Sequence, residues 1–382
     1  MTRRLEVGDL ITDDVRREAD AWIGTGDEDA VARIAWSILI EPGDGVAGEA
    51  IARFGPRAAL DRVATAPRGD DIANALDRWA TRWDAGLVRD AIAAARRRQI
   101  RLLVPGDVAW PVGLDDLGAH APVCLWVRGD AAAVAHGLST ALVGARAATG
   151  YGEHVAADLA SSLAADDVVI VSGAAYGIDG AAHRAAMRVG GRTAAFVAGG
   201  ADRVYPAGHA HLLQQITERG AVVAECPPGT TPTRWRFLAR NRLIAAASTA
   251  TVVVEAGGRS GSINTAGHAA ALGRPLGAVP GPVTSSTSAG CHRLLREYDA
   301  ICITSAGDVR ELLGAGPDPQ PLAYEAPETI RLADALSRRR ARTVDELARR
   351  SGLAPADVVA ALGLMALAGS AEAREDGWVS AT

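Results

Sequence analysis

The 382-residue chain contains no lysine, and all 40 of its basic residues are arginines. A phosphate loop of the GK[ST] type and a Schiff-base lysine are therefore excluded. Cysteine is scarce: Cys124, Cys226, Cys291 and Cys302 stand far apart, with no CxxC pair and no paired-histidine spacing. Neither a structural zinc site nor a disulfide framework is expected, and the thiols read as reduced and mostly buried. No apolar run reaches the roughly 18 residues of a membrane helix. The opening MTRRLEVGDLITDDVRREAD is too acidic and polar for a secretory signal. The expectation is a soluble, cytoplasmic protein without a membrane part. Enzyme signatures are also missing: no serine lies in GxSxG, no HExxH occurs, and no GxGxxG follows the first strand. Glu225 follows a strand but lies in ECPPG, away from a ribose-binding position, so an NAD enzyme is not expected. The acid–base candidates His183, His209, His268 and Glu255 have no visible nucleophile partner. Metal and cofactor sites are not expected.

The length supports two or three domains, each able to bury its own core. A net charge of −5 argues against a general basic coat. Its distribution says otherwise. Residues 226–296 hold one acid, Glu255, against Arg234, Arg236, Arg240, Arg242, Arg259, Arg274, Arg293 and Arg296. Exclusive use of arginine can reflect a GC-rich genome, but this clustering marks a candidate anion surface.

Apolar residues at three-to-four spacing predict helices over 29–40, 45–54 and 56–63, a small helical module whose simplest role is packing. From about Ile100 to Leu313, strands are predicted at 101–104, 123–127, 140–144, 168–172, 193–198, 221–224, 251–255, 276–279 and 300–303, with helices between most of them. That alternation predicts an α/β fold with a doubly wound parallel sheet, binding ligands beyond the C-terminal strand ends near a topological switch point. Residues 315–327, AGPDPQPLAYEAP, read as a Pro-rich linker. Beyond it, Thr343 and Glu346 form a capping box, Pro355 opens a helix to about Leu367, and 371–380 can form a two-stranded wing. A winged helix-turn-helix is expected. Its 355–367 helix carries no arginine and one acid, Asp357, so a protein-contact or structural role suits it better than base reading. The predicted division is a helical domain at 1–98 of the sterile-alpha-motif or helix-hairpin-helix kind, an extended Rossmann-like domain at 99–314, the linker at 315–327 and the winged module at 328–382.

The segment 252–281, VVVEAGGRSGSINTAGHAAALGRPLGAVPG, is the most informative. A strand of the doubly buried kind ends in a loop with Gly257, Gly258 and Gly261, hydroxyls at Ser260, Ser262 and Thr265, and a helix predicted over 263–272. The unpaired N–H groups and positive dipole end of such a helix suit an anion, although Gly-rich strand-to-helix turns are common without one. VGARAATGYG at 143–152 places Arg146 beside another helix start, where a bidentate phosphate contact is possible. SGAAYGID at 172–179 repeats the arrangement, with Asp179 placed to cap or brace loops. RWRFLARNRLIAA at 234–246 is helical, with Arg236, Arg240 and, less closely, Arg242 near one face beside Trp235 and Phe237. Arginines with aromatics suit single-stranded nucleic acid, because guanidinium pairs with phosphate and bases stack on rings. A core aromatic among solvated arginines is the plainer alternative.

VGAR, SGAAYGID, AGGADRVYP (198–206), ECPPG (225–229), FLARNRLIAAAS (237–248), EAGGRSGSINTAGHAAALGRP (255–275) and AVPGPVTSSTSAGCHRLL (278–295) together closely resemble the DNA-processing protein A family, also called DprA or Smf. The ordered series is highly specific and spans about Arg101 to Leu313; FGPRAAL and the C-terminal module also look like that family's flanking domains. The resemblance implies an extended Rossmann fold and a homodimer. It implies a non-enzymatic protein that binds single-stranded DNA without sequence preference, protects incoming DNA in natural transformation and loads the RecA recombinase. It also implies that Gly144 and Arg146, Gly173, Tyr176 and Gly177, Phe237, Arg240, Asn241 and Arg242, and Ser260, Gly261, Ser262 and Thr265 line the DNA groove. Departures are Tyr176 where many members carry a phosphate-contacting lysine, Leu238 for the usual proline, His209 and His292 where asparagine is usual, and Ala145 for serine. Two other readings stay open. One is a nucleoside-monophosphate phosphoribohydrolase, whose Rossmann core resembles PGGxGTxxE but whose downstream catalytic glutamate is missing from EAGGRSGSINTA. The other is a transcription regulator acting through the winged module.

Overall fold

The computed structural model describes residues 5–24, 26–65, 71–135, 137–316 and 326–381, which fall into two compact units, Met1–Gly316 and Pro317–Thr382. The first is built on a nine-stranded sheet. Its strands are β1 (Ile100–Leu103), β2 (Leu125–Gly129), β3 (Ser139–Gly144), β4 (Val169–Ser172), β5 (Thr193–Val197), β6 (Ala221–Ala224), β7 (Ala250–Glu255), β8 (Leu276–Ala278) and β9 (Ile301–Cys302). Their order in space is β1-β2-β6-β5-β4-β3-β7-β8-β9. From β6 to β9 every pair is parallel. At the other edge β2 runs antiparallel to both β1 and β6, so the sheet is mixed where a wholly parallel one was expected. The reason lies between β1 and β2, where a short 3₁₀ segment, Val112–His120, replaces the crossover helix that a parallel pair requires.

The central strands are buried along most of their length and mainly apolar because both faces are covered. On β3, Ala141 and Val143 join one hydrophobic cluster and Leu142 another; on β7, Val253 sides with the first and Val252 and Val254 with the second. Helices Gly150–Ala165 and Ile178–Arg188 contribute to the second cluster, as does Ala306–Leu312. At the β2/β6 edge the same side of the sheet is covered by the N-terminal helices. Leu10, Ile34, Leu60 and Ile92 pack in one cluster with Trp126, Val222 and Ala224. Trp22 stacks on Trp126 at 5.6 Å and donates its indole N–H to Ile100 O. Thr12, Asp27, Asp44 and Asp84 cap these helices through side-chain oxygens. The helices at 29–40, 45–54 and 56–63 occur as Glu28–Leu39, Gly45–Phe54 and Pro56–Thr65.

The second unit contains helices Pro327–Ala335, Val344–Ser351 and Pro355–Leu367 and the hairpin β10 (Ala371–Arg374) with β11 (Gly377–Ser380). Thr343 and Glu346 form the reciprocal capping box. Leu332, Leu347, Val358, Leu362 and Met365 make the core. Most of the Pro-rich linker lies outside the described residues. Among those residues, no single helix is long and apolar enough to cross a membrane.

Candidate nucleic-acid interface

In the sheet, β3 is flanked by β4 on one side and β7 on the other, although the chain visits β7 only after β4, β5 and β6. That is a topological switch point, and a cleft opens beyond the strand ends there. The cleft has a volume of about 310 Å³. Its walls come from the loop after β3, the loop after β4, the helix Arg234–Ala246 and the start of the helix Gly261–Ala271. Nine of the residues picked out in the sequence line it: Gly144, Arg146, Phe237, Arg240, Asn241, Ser260, Gly261, Ser262 and Thr265. Val143, Ala175, Asp179, Leu238 and Ile244 complete the lining.

Arg146 is exposed, and its guanidinium carbon sits 4.5 Å from the centroid of the Phe237 ring. Among the described residues it forms no ion pair, so its five N–H donors face the cleft region without a carboxylate to neutralise them. Across the cleft the last helix begins two residues earlier than predicted, because Ser260 caps it by accepting from Ser262 N. The Ser260 and Ser262 hydroxyls lie 2.7 Å apart. Nothing comes within 4 Å of where a Cβ on Gly261 would sit, so this helix start is open to a guest. Asn241 donates to Gly261 O at 3.3 Å and to Asn264 Oδ1 at 3.2 Å, fixing the helix start to the arginine-rich helix.

Arg240 is buried. One of its nitrogens donates to Gly173 O at 2.9 Å and also to Phe196 O, while Nε has no partner. Burial lowers its pKa to about 10, against the pull of Asp179. Burial likewise raises Asp179, which is opposed by Arg240 and by the backbone N–H groups of Ala175 and Gly173 that it accepts. Together they brace the loop after β4. Gly173 belongs to this brace: a Cβ there would lie 2.2 Å from Arg240 Nη1, so the glycine makes room for the guanidinium and does not line the cleft. Gly177, with φ of +73°, packs its α-carbon against Ala145 O. Tyr176 stands outside the lining, its ring edge-on to His209 at 4.8 Å and its hydroxyl accepting from Gly208 N at 3.1 Å.

Arg242 departs from the expectation. It is buried in a two-point ion pair with Glu225, at 2.9 Å and 2.6 Å, and takes no part in the cleft. Gly43 N also donates to Glu225, so this pair ties the N-terminal helices to β6. Arg236 is likewise paired, with Glu41. A larger cleft of about 530 Å³ between those helices and the 225–230 loop is lined by Glu41, Arg236 and Glu225 and by none of the expected site residues. The sequence reading missed Tyr205, whose ring lies 5.3 Å from Phe237. AGGADRVYP was recognised as a motif, but its tyrosine was not read as an aromatic neighbour of Phe237.

Three of the four acid–base candidates, Glu255, His183 and His209, are engaged elsewhere. Glu255 accepts from Thr149 N at 2.8 Å and Thr149 Oγ1 at 2.9 Å, bracing the cap of Gly150–Ala165. His183 is fully buried against Thr193 Oγ1 at 2.7 Å, and burial lowers its pKa to about 3. His209 Nδ1 lies 3.0 Å from Ala174 O.

A family model described as DNA recombination-mediator protein A matches residues 101–314, and one described as DprA winged helix domain matches residues 316–377. The chain belongs to the DNA recombination-mediator protein A family. A DNA processing protein DprA of Mycobacterium tuberculosis is 46% identical over 373 residues, covering 92% of this chain and 94% of that one. Protein Smf of Escherichia coli is 36% identical over 274 residues, covering 68% and 71%. Among solved structures, DprA from Streptococcus pneumoniae superposes with a TM-score of 0.63 at 29% identity, over 75% of this chain and 98% of that one. DNA processing protein A from Helicobacter pylori, described for its single-stranded DNA binding mode, gives 0.51 at 29% identity, over 56% and 95%. The extended Rossmann-like sheet and the winged module are thus those of the DprA family.

Proposed function

We propose that this protein binds single-stranded DNA at the switch-point cleft without sequence preference, and that it serves natural transformation and recombination by protecting incoming strands and loading RecA onto them. It acts as a binding protein and not an enzyme, as a homodimer, in the cytoplasm. The observation that carries the reading is the unneutralised Arg146 guanidinium stacked on Phe237 opposite the open helix start at Gly261. A phosphate set between them meets a fork of donors on one side and helix N–H groups on the other, with an aromatic face beside it for a base. The single-strand binding mode described for the Helicobacter pylori relative supports the same reading. A phosphoribohydrolase would need a free carboxylate at the loop, and Glu255 is turned to Thr149. A winged-helix regulator is disfavoured by the arginine-free helix Pro355–Leu367.

The test is a titration of the full chain with oligothymidylate and with blunt duplex across a range of salt. Single strands should bind more tightly at every salt concentration, and Arg146→Ala should flatten the log–log salt dependence by about 1. Equal affinity for duplex at physiological salt would refute the reading.

A further inference from the structure

We infer that Tyr205 and Tyr176 form a base-stacking collar at the rim of this cleft, so that the chain grips single-stranded DNA by its nucleobases as well as its phosphates; this rests on the single-strand reading above. The protein has only 5 tyrosines and 3 phenylalanines. Phe237 nevertheless lies against Arg146 and Tyr205 against Phe237, while Tyr176 sits on the turn that follows Tyr205. Tyr205 is 45% exposed with its ring tilted 53° to Phe237, and Phe237 in turn lies under Arg146. Tyr176 is 47% exposed, and its neighbour Gly177 packs on the carbonyls of Ala145 and Arg146. Both tyrosines are fixed to one turn. Tyr205 enters it through Pro206, and Tyr176 accepts from Gly208 N and meets His209 edge-on.

Rings that served only to fill a core would be covered, whereas these leave close to half their surface in water. Rigid, half-exposed rings with polar tips lose little entropy when a base stacks on them. The charge pattern points the same way. Arg240 is buried against backbone carbonyls and Arg242 against Glu225, which leaves Arg146 as the exposed cation of the cleft lining among the described residues. One such contact supports a shallow salt dependence, so a second source of affinity is needed for tight binding. Stacking supplies it at every base, because each base offers a π face.

The experiment compares oligothymidylate with a strand of equal length and charge whose residues are abasic tetrahydrofuran units, by fluorescence anisotropy on the full chain. The unmodified protein should prefer the thymidylate by about tenfold or more. Tyr205→Leu and Tyr176→Leu should each remove much of that preference while leaving the abasic affinity and the salt slope unchanged, and Tyr205→Phe should keep it. Equal binding of the two strands by the unmodified protein overturns the inference without any variant. Loss of affinity for both strands alike in Tyr205→Leu also overturns it, since the residue would then act by positioning Phe237. Absence of binding to either strand overturns the single-strand reading itself and the collar with it.

Discussion

At the scale of single residues, three arginines that look interchangeable in the sequence have three different jobs. Arg146 faces the cleft, Arg240 braces a loop and Arg242 is locked to Glu225. Removing one member of a buried ion pair leaves its partner uncompensated, at a cost of about 3–5 kcal/mol. Arg242→Ala should therefore lower the thermal unfolding midpoint by many degrees while leaving the salt slope of DNA binding where it was. Arg146→Ala should do the reverse. A melt and a salt titration on the two variants check both statements, and a normal melt for Arg242→Ala would count against the buried pair. The arginine cluster itself was legible, since it rests on composition. The sorting was not, although helix geometry hints at it: residues 240 and 242 point roughly 200° apart around a helix axis, so they cannot both meet one ligand. What each then meets, Glu225 or a carbonyl, depends on strands far away in the chain.

At the scale of elements, the loop after β4 depends on Gly177, which takes a positive φ of +73° where an added Cβ would lie 2.2 Å from Ala145 O. A side chain there is strained in conformation, by roughly 1–3 kcal/mol, and clashes with backbone that cannot move without carrying Arg146 along. Gly177→Ala should thus weaken both stability and single-strand affinity, measured by denaturant unfolding and oligothymidylate titration. Gly261→Ala, which meets open space, should leave stability unaltered. The positions of nearly all strands were readable from runs of valine and alanine, and helix starts from Thr343 and Pro355, because caps and doubly buried strands leave local marks. Strand direction at the β1/β2 edge leaves no such mark in hydrophobicity. The available clue was the missing crossover helix between residues 104 and 124. Tyr205 escaped for a similar reason: its partner Phe237 is remote in sequence and sits on another element.

At the scale of the whole molecule, the winged unit exposes Val359, Leu364 and Leu367 on a helix whose one charge is Asp357. Such a surface offers phosphates nothing. A chain truncated after Gly316, the end of the first compact unit, should bind oligothymidylate within tenfold of the full chain, about 1.4 kcal/mol. A larger loss in the same titration would mean that the winged unit supplies direct contacts. The core shared by the N-terminal helices and the β2/β6 edge carries a different consequence, for biosynthesis. Those helices leave the ribosome before β6 does, yet Trp126 must pair opposite Ala224 before the strands that cover them are in place. At about 5–20 residues per second, the wait from the end of Ala85–Arg97 to β6 is on the order of ten seconds. For that time the nascent chain displays Leu10, Ile34, Leu60 and Ile92 without the face that will cover them, and it is in this window that a chaperone has something to hold.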